Sequence, residues 1–182
     1  YNVTYKLLNA KDYSVPQDRE RVFVVGFLNN INFSFPNAIE KKVTLQDAIF
    51  DLKDSVKSYN PENQDEFNHE YYTAGFSSMF MSRNRVRDWN EQSFTIQAGG
   101  RHAPIHPQAP KMDLIGKDKR VFQVGSEHLY RRLSVRECAR IQTFPDDFKF
   151  IYNNILDGYK MVGNAVPVNL ATALAKQILQ HL

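Results

Sequence analysis

Two arginines set one residue apart, with a glutamine two positions ahead, are the first residues whose types and spacing could do chemistry. They are Gln17, Arg19 and Arg21 in VPQDRERVFVVGF (15–27). Alternate side chains of an extended segment project to one face, so both arginines would address one site. Neighbouring guanidiniums repel unless an anion or acceptor joins them, and a phosphate or a pyrimidine carbonyl would serve. A surface strand laddered with Glu20 would carry the same residues. The second candidate is GYKMVGNAVPVNLA (158–171). Gly163 permits close backbone approach, Asn164 offers a donor and an acceptor, and a helix behind Pro167 would present free N–H groups. Such a turn can hold the carboxylate or ribose of a nucleoside cofactor, and an ordinary helix start has the same pattern. Third, Arg83, Arg85 and Arg87 alternate in MSRNRVRDW, and Arg101 follows Gly99 and Gly100. Arginine bonded twice to guanine is the commonest specific base contact. Arg83, Arg85 and Arg101 are the candidate base readers, with Arg87, His102 and Lys111 on the phosphate side, and phosphate contact or plain solvation fits each arginine equally well. The single cysteine, Cys138, lies among apolar residues with no adjacent His, which reads as a buried hydrophobe and not as a nucleophile. One cysteine excludes an internal disulfide framework and argues against a Cys-rich zinc site, so no metal is expected.

The elements that must position these groups follow from local pattern. Residues 1–9 and 21–28 read as two short strands joined by a loop and able to pair antiparallel. Thr44 is a plausible N-cap with Asp47 three residues on, and Leu45, Ala48, Ile49 and Leu52 form a helical stripe. SVKSYNPENQDEFNHE (55–70) is polar and reads as a surface segment. Residues 71–128 read as loop-rich, with FTIQA (94–98) and RVFQV (120–124) as short strands. Ser134 and Glu137 form a capping box for a helix over 135–144 that Pro145 stops. Leu133, Val135, Cys138, Ala139 and Ile141 form its apolar side, with Arg131, Arg132, Arg136 and Arg140 as the polar complement. Pro167 opens the last helix.

A hydrophobic share of 42% fits a folded, soluble chain, and no run is long enough to span a bilayer. The net charge of +3 hides an uneven distribution. Residues 1–78 hold 8 Lys/Arg against 11 Asp/Glu, residues 79–140 hold 12 against 6, and residues 141–182 hold 3 against 3. The net of +6 in the middle is where a polyanion would bind.

Three blocks in order, VPQDRERVFVVGF, RRLSVRECARIQTFPDDF (131–148) and GYKMVGNAVPVNLATALAKQI (158–178), resemble the closing motifs of the DNA (cytosine-5) methyltransferases. The resemblance spans nearly the whole chain and implies the part from motif VIII to motif X with the target recognition domain. It implies an α/β fold: the end of the sheet and the final helix of a class I methyltransferase dependent on S-adenosylmethionine, with a small recognition domain of short strands inserted. Residues 1–38 and 149–182 would belong to the catalytic domain and 39–148 to the recognition domain. Gln17, Arg19 and Arg21 would lie over the target cytosine, with Arg21 on the flipped base and Arg19 on the backbone or base edge. Asn164, Ala165 and Val166 would face the cofactor, and Arg131 or Arg132 would touch a phosphate. The middle text SRNRVRxWNExxFTxQAxGR is similar to recognition domains of bacterial enzymes that methylate within GGCC.

The family's nucleophile is the cysteine of a Pro-Cys loop, and no Pro-Cys, Glu-Asn-Val or Phe-x-Gly-x-Gly occurs here. The sequence also starts without Met. The expectation is a cut, processed or split chain that is inactive alone. It would need a missing N-terminal catalytic region or a partner chain, bind duplex DNA, self-associate through exposed apolar surface, and reside in a bacterial cytoplasm. A non-catalytic DNA-binding or regulatory subunit is the alternative.

Overall fold

A computed structural model describes residues 1–182. Strands β1 (Asn2–Asn9) and β2 (Glu20–Phe27) pair antiparallel, with Asn9 opposite Glu20 and Asn2 opposite Phe27. Strand alternation sorts their side chains. Tyr5, Leu7, Val22 and Val24 share one face by register and stay exposed, while Leu8 and Phe27 turn into a core. That core joins Tyr13, Val15, Phe33 and Phe35 to Leu170 and Leu174 of helix α4 (Val168–Leu179). The two ends of the chain therefore form one packing unit.

The middle has two cores. Around Ile96, Leu133 and Cys138 pack α1 (Leu45–Ile49), α2 (Val135–Ile141) and α3 (Ile155–Asn164). A smaller cluster holds Phe80, Val86, Ile105, Met112 and Tyr130. Both expected capping boxes form: Thr44 with Asp47 starts α1, and Ser134 with Glu137 starts α2. Regular pairing is scarce here. β3 (Lys57–Ser58) and β4 (Glu70–Tyr71) are parallel, and β5 (Asp113–Gly116) pairs with β6 (Lys119–Val121) around Asp118, whose φ is 51°. No helix is long and apolar enough to cross a membrane.

Several expectations need correction. Residues 94–98 form no strand; the neighbouring Ser93 bridges Gln17. Of 120–124 only Arg120 and Val121 lie in a strand. Helix α2 ends at Ile141, before Pro145, because Thr143 takes a left-handed φ of 60°. The polar segment 55–70 carries two buried side chains, Asn68 and Glu70. The largest miss is α3, whose last turn contains the Gly163–Asn164 pair that read as an isolated turn. Its Ile155, Tyr159 and Val162 belong to the core of α1 and α2, so a domain boundary at 149 cuts through one hydrophobic cluster. Leu170 and Leu174 of α4 belong to the terminal core instead.

Candidate functional site

Three stretches of chain converge where the terminal unit meets the middle. Residues 16–18 run beside 93–95: Ser93 N–H donates to Pro16 O, Asp18 N–H to Ser93 O, and Thr95 Oγ1 to Asp18 O at 2.6 Å. Gln17 is fully buried, and its Oε1 accepts the Ile96 N–H at 2.8 Å. Arg19 is 4% exposed, and its guanidinium donates to Ile96 O (2.8 Å), Gly163 O (2.8 Å) and Ala165 O (3.3 Å). Burial first, then the charge of Arg21, lowers its pKa to about 10, so it stays charged at neutral pH. Arg21 is exposed and donates only to Glu20 O. The two arginines are close enough to repel, yet Arg19 has turned inward. This corrects the expectation that it presents itself to DNA. Gly163 completes the junction, because a Cβ there would run into the backbone of Gln97 and Ala98.

The cofactor-side residues follow directly. Asn164 ends α3 with an exposed side chain, Ala165 is half-buried and extended (φ −70°, ψ 153°), and Val166 is exposed. The N–H groups expected to be free at the start of α4 are partly used. Val168 N–H donates to Gln142 O and Asn169 N–H to Thr143 Oγ1. The Asn164 amide and the Val166 side chain are exposed beside this partly used helix terminus.

The six arginines expected at DNA divide by partner. Arg83 and Arg101 are exposed and make neither a hydrogen bond nor an ion pair through their side chains. They line adjoining clefts that share His102. One, of about 240 Å³, is lined by Arg83, Arg85, Thr95, Gln97 and His102. The other, of about 570 Å³, is lined by Tyr72, Phe76, Met79, Arg101 and His102. Arg85 reaches the first cleft but donates to Phe80 O (3.0 Å) and lies over the Phe80 ring. Arg87 is paired with Glu91 (3.1 Å) and covers Phe94 at 4.1 Å. Lys111 pairs with Asp88 at 2.7 Å.

Arg131 and Arg132 are corrected outright. Arg131 is buried and grips both oxygens of the fully buried Glu137 at 2.8 Å. Arg132 is 2% exposed; it donates to Tyr72 O, Ala74 O and Gly75 O and stacks on Phe76 at 4.0 Å. Neither can meet a phosphate in this arrangement. Arg136, read as part of a polar face, is buried as well and collects Phe67 O, Pro145 O and Phe148 O.

Two further groups define what the site cannot be. Burial pushes the Cys138 thiol up, which keeps it protonated and unreactive. His106 Nδ1 accepts the Gln108 N–H, so its proton sits on Nε2, 3.4 Å from Glu137 Oε1. Burial lowers His106 to about 4, so this contact joins a neutral ring to a carboxylate and is no ion pair at neutral pH. Sequence reasoning missed Thr95 and Gln97. Both stand in the FTxQAxGR stretch that resembles the recognition domains, and Gln97 lies two residues before the Gly99–Gly100 pair.

The chain matches the family described as C-5 cytosine-specific DNA methylase over residues 1–180. It is 62% identical over 189 residues to the type II methyltransferase M.MthTI of Methanothermobacter thermautotrophicus, covering 100% of this chain and 57% of that protein. It is 52% identical over 192 residues to the type II methyltransferase M.NgoPII of Neisseria gonorrhoeae, covering 100% and 56%. The chain thus spans little more than half the length of these relatives. Among solved structures it resembles the Entamoeba histolytica methyltransferase EhMeth with a TM-score of 0.63 at 13% identity, over 99% of this chain and 54% of that one. The S. pombe Dnmt2 methyltransferase aligns with a TM-score of 0.54 at 14% identity, over 99% and 57%. At such identities the likeness concerns the fold.

Proposed function

We infer the function from kinship: this chain belongs to the C-5 cytosine-specific DNA methylases, and we assign it target recognition and one wall of the methyl-donor site in such an enzyme. The whole enzyme transfers a methyl group from S-adenosylmethionine to cytosine in duplex DNA. The target base must leave the stack to be reached. Arg21, exposed at the start of β2 beside the buried Gln17–Arg19 junction, is the residue assigned to hold it.

One observation carries the recognition role. Arg83 and Arg101, two guanidiniums without partners, stand on adjoining clefts that share His102. A charged fork without an internal partner is suited to a guanine edge or a phosphate. Arg85 can join them by exchanging its bond to Phe80 O for a base. A GGCC site would give several arginines a guanine each. The cofactor wall is Asn164 to Val166. An amide with one donor and one acceptor beside an exposed valine suits a nucleoside, which has polar edges and an apolar face. S-adenosylmethionine supplies the methyl group when bound; these residues orient it.

The exposed face of Tyr5, Leu7, Val22 and Val24 is assigned to the remainder of the enzyme, covalently joined or as a partner chain, and self-association is expected without it. Alone, the chain is expected to lack methyltransferase activity, since Cys138 is its single thiol and is buried. A cytoplasmic location suits this role.

Binding tests the reading. The purified chain should bind duplex DNA with an affinity that falls steeply as salt rises. In the whole enzyme, Arg83→Ala and Arg101→Ala should each relax the preference for GGCC by about 1–3 kcal/mol. Equal weakening on all sequences would make them phosphate contacts. Turnover by the chain alone, with S-adenosylmethionine and DNA containing GGCC, would overturn the expectation of inactivity.

A further inference from the structure

We propose that Arg19 is a positioning residue: by gathering the carbonyls of Ile96, Gly163 and Ala165, it couples the recognition cleft to the Asn164–Val166 turn without touching DNA. The proposal deepens the recognition reading and rests on it for what each end binds.

Four observations carry it. Arg19 has no carboxylate partner; its side-chain bonds go to three backbone carbonyls on two distant stretches of chain. Ile96 is held from both sides, its N–H by Gln17 Oε1 and its C=O by Arg19. The neighbours of Ile96, Thr95 and Gln97, line the cleft of Arg83 and His102. Gly163 and Ala165 flank Asn164, and Gly163 meets the backbone of Gln97 and Ala98 where any side chain would collide. A shift of 95–97 must therefore move 163–165. At 4% exposure the guanidinium is closed to a phosphate. A planar fork can serve three acceptors at fixed angles, which a lysine ammonium cannot reproduce.

The test uses Arg19→Lys, which keeps the charge and loses the fork, and Arg19→Met, which loses both. In this chain, amide exchange of Arg19→Lys should quicken together in 94–99 and 163–166, by about tenfold, the size of losing a charge-assisted hydrogen bond. Exchange in β1 and β2 should stay unchanged. In the whole enzyme, both variants should weaken S-adenosylmethionine and duplex binding alike, with the salt slope of DNA binding unaltered. A direct phosphate contact predicts otherwise: Arg19→Lys near wild type, Arg19→Met with a slope lower by about one counterion, and cofactor binding untouched. That pattern, or faster exchange in one segment only, overturns the proposal. If Arg19→Met does not fold, Arg19→Lys decides. If even the wild-type enzyme binds neither probe, the recognition reading fails, and the paired exchange still decides the coupling.

Discussion

An arginine's sequence says little about whether it faces water or the interior. Arg83 and Arg131 both read as DNA contacts, yet one has no partner and the other closes a buried pair with Glu137. That carboxylate also caps α2 through the Ser134 N–H and faces His106. Removing one partner of a buried pair leaves a charge without compensation, so Arg131→Ala should destabilise the chain by about 3–5 kcal/mol. Arg83→Ala, on an exposed unpaired group, should stay within about 0.5 kcal/mol of wild type. Urea midpoints measure both. Equal midpoints would return Arg131 to the surface. The sequence revealed that arginines cluster in the middle of the chain; it did not reveal which ones serve as struts.

Elements show where local rules hold. The capping boxes of α1 and α2 were legible because their hydrogen bonds close within three residues. Helix α3 was not, because Gly158 and Gly163 argue against a helix at about 1 kcal/mol each. Packing overrides that cost. A Cβ at Gly158 would strike the Tyr152 ring, and one at Gly163 the 97–98 backbone. Gly163→Ala thus sets two effects against each other. Helix propensity favours alanine by about 1 kcal/mol, while forcing a methyl into packed backbone costs roughly 1–3 kcal/mol. The clash should win and destabilise the chain in urea. A stabilised variant would mean that α3 does not rest on residues 97–98.

At the scale of the molecule, three cores are tied by single backbone bonds, such as Val168 N–H to Gln142 O, and by side chains that collect carbonyls, Arg19 and Arg132 among them, since the middle has few strand pairs. The interior also sets a pH dependence. His106 titrates at about 4 when folded, against an ordinary value of 6.5. Between those values the unfolded chain takes up a proton that the folded chain refuses. Stability should therefore fall as pH drops from 6.5 toward 4, by up to about 3 kcal/mol. His69, also lowered by burial, adds in the same direction. Thermal midpoints of wild type and His106→Gln, compared between pH 6.5 and 4.5, should show a shallower dependence in the variant. Parallel curves would place His106 in contact with water.

What the sequence determined by itself was the family, the two terminal strands, the helix caps and the basic middle. Each depends on residue types at fixed short spacings or on a sum of charges. Tertiary structure decided the fate of the arginines, the existence of α3 and the junction at Arg19, whose partner Gly163 lies 144 positions away. A carbonyl oxygen is the same in every residue. No pattern in the side chains marks which carbonyl a guanidinium will find, and only the folded backbone makes that choice.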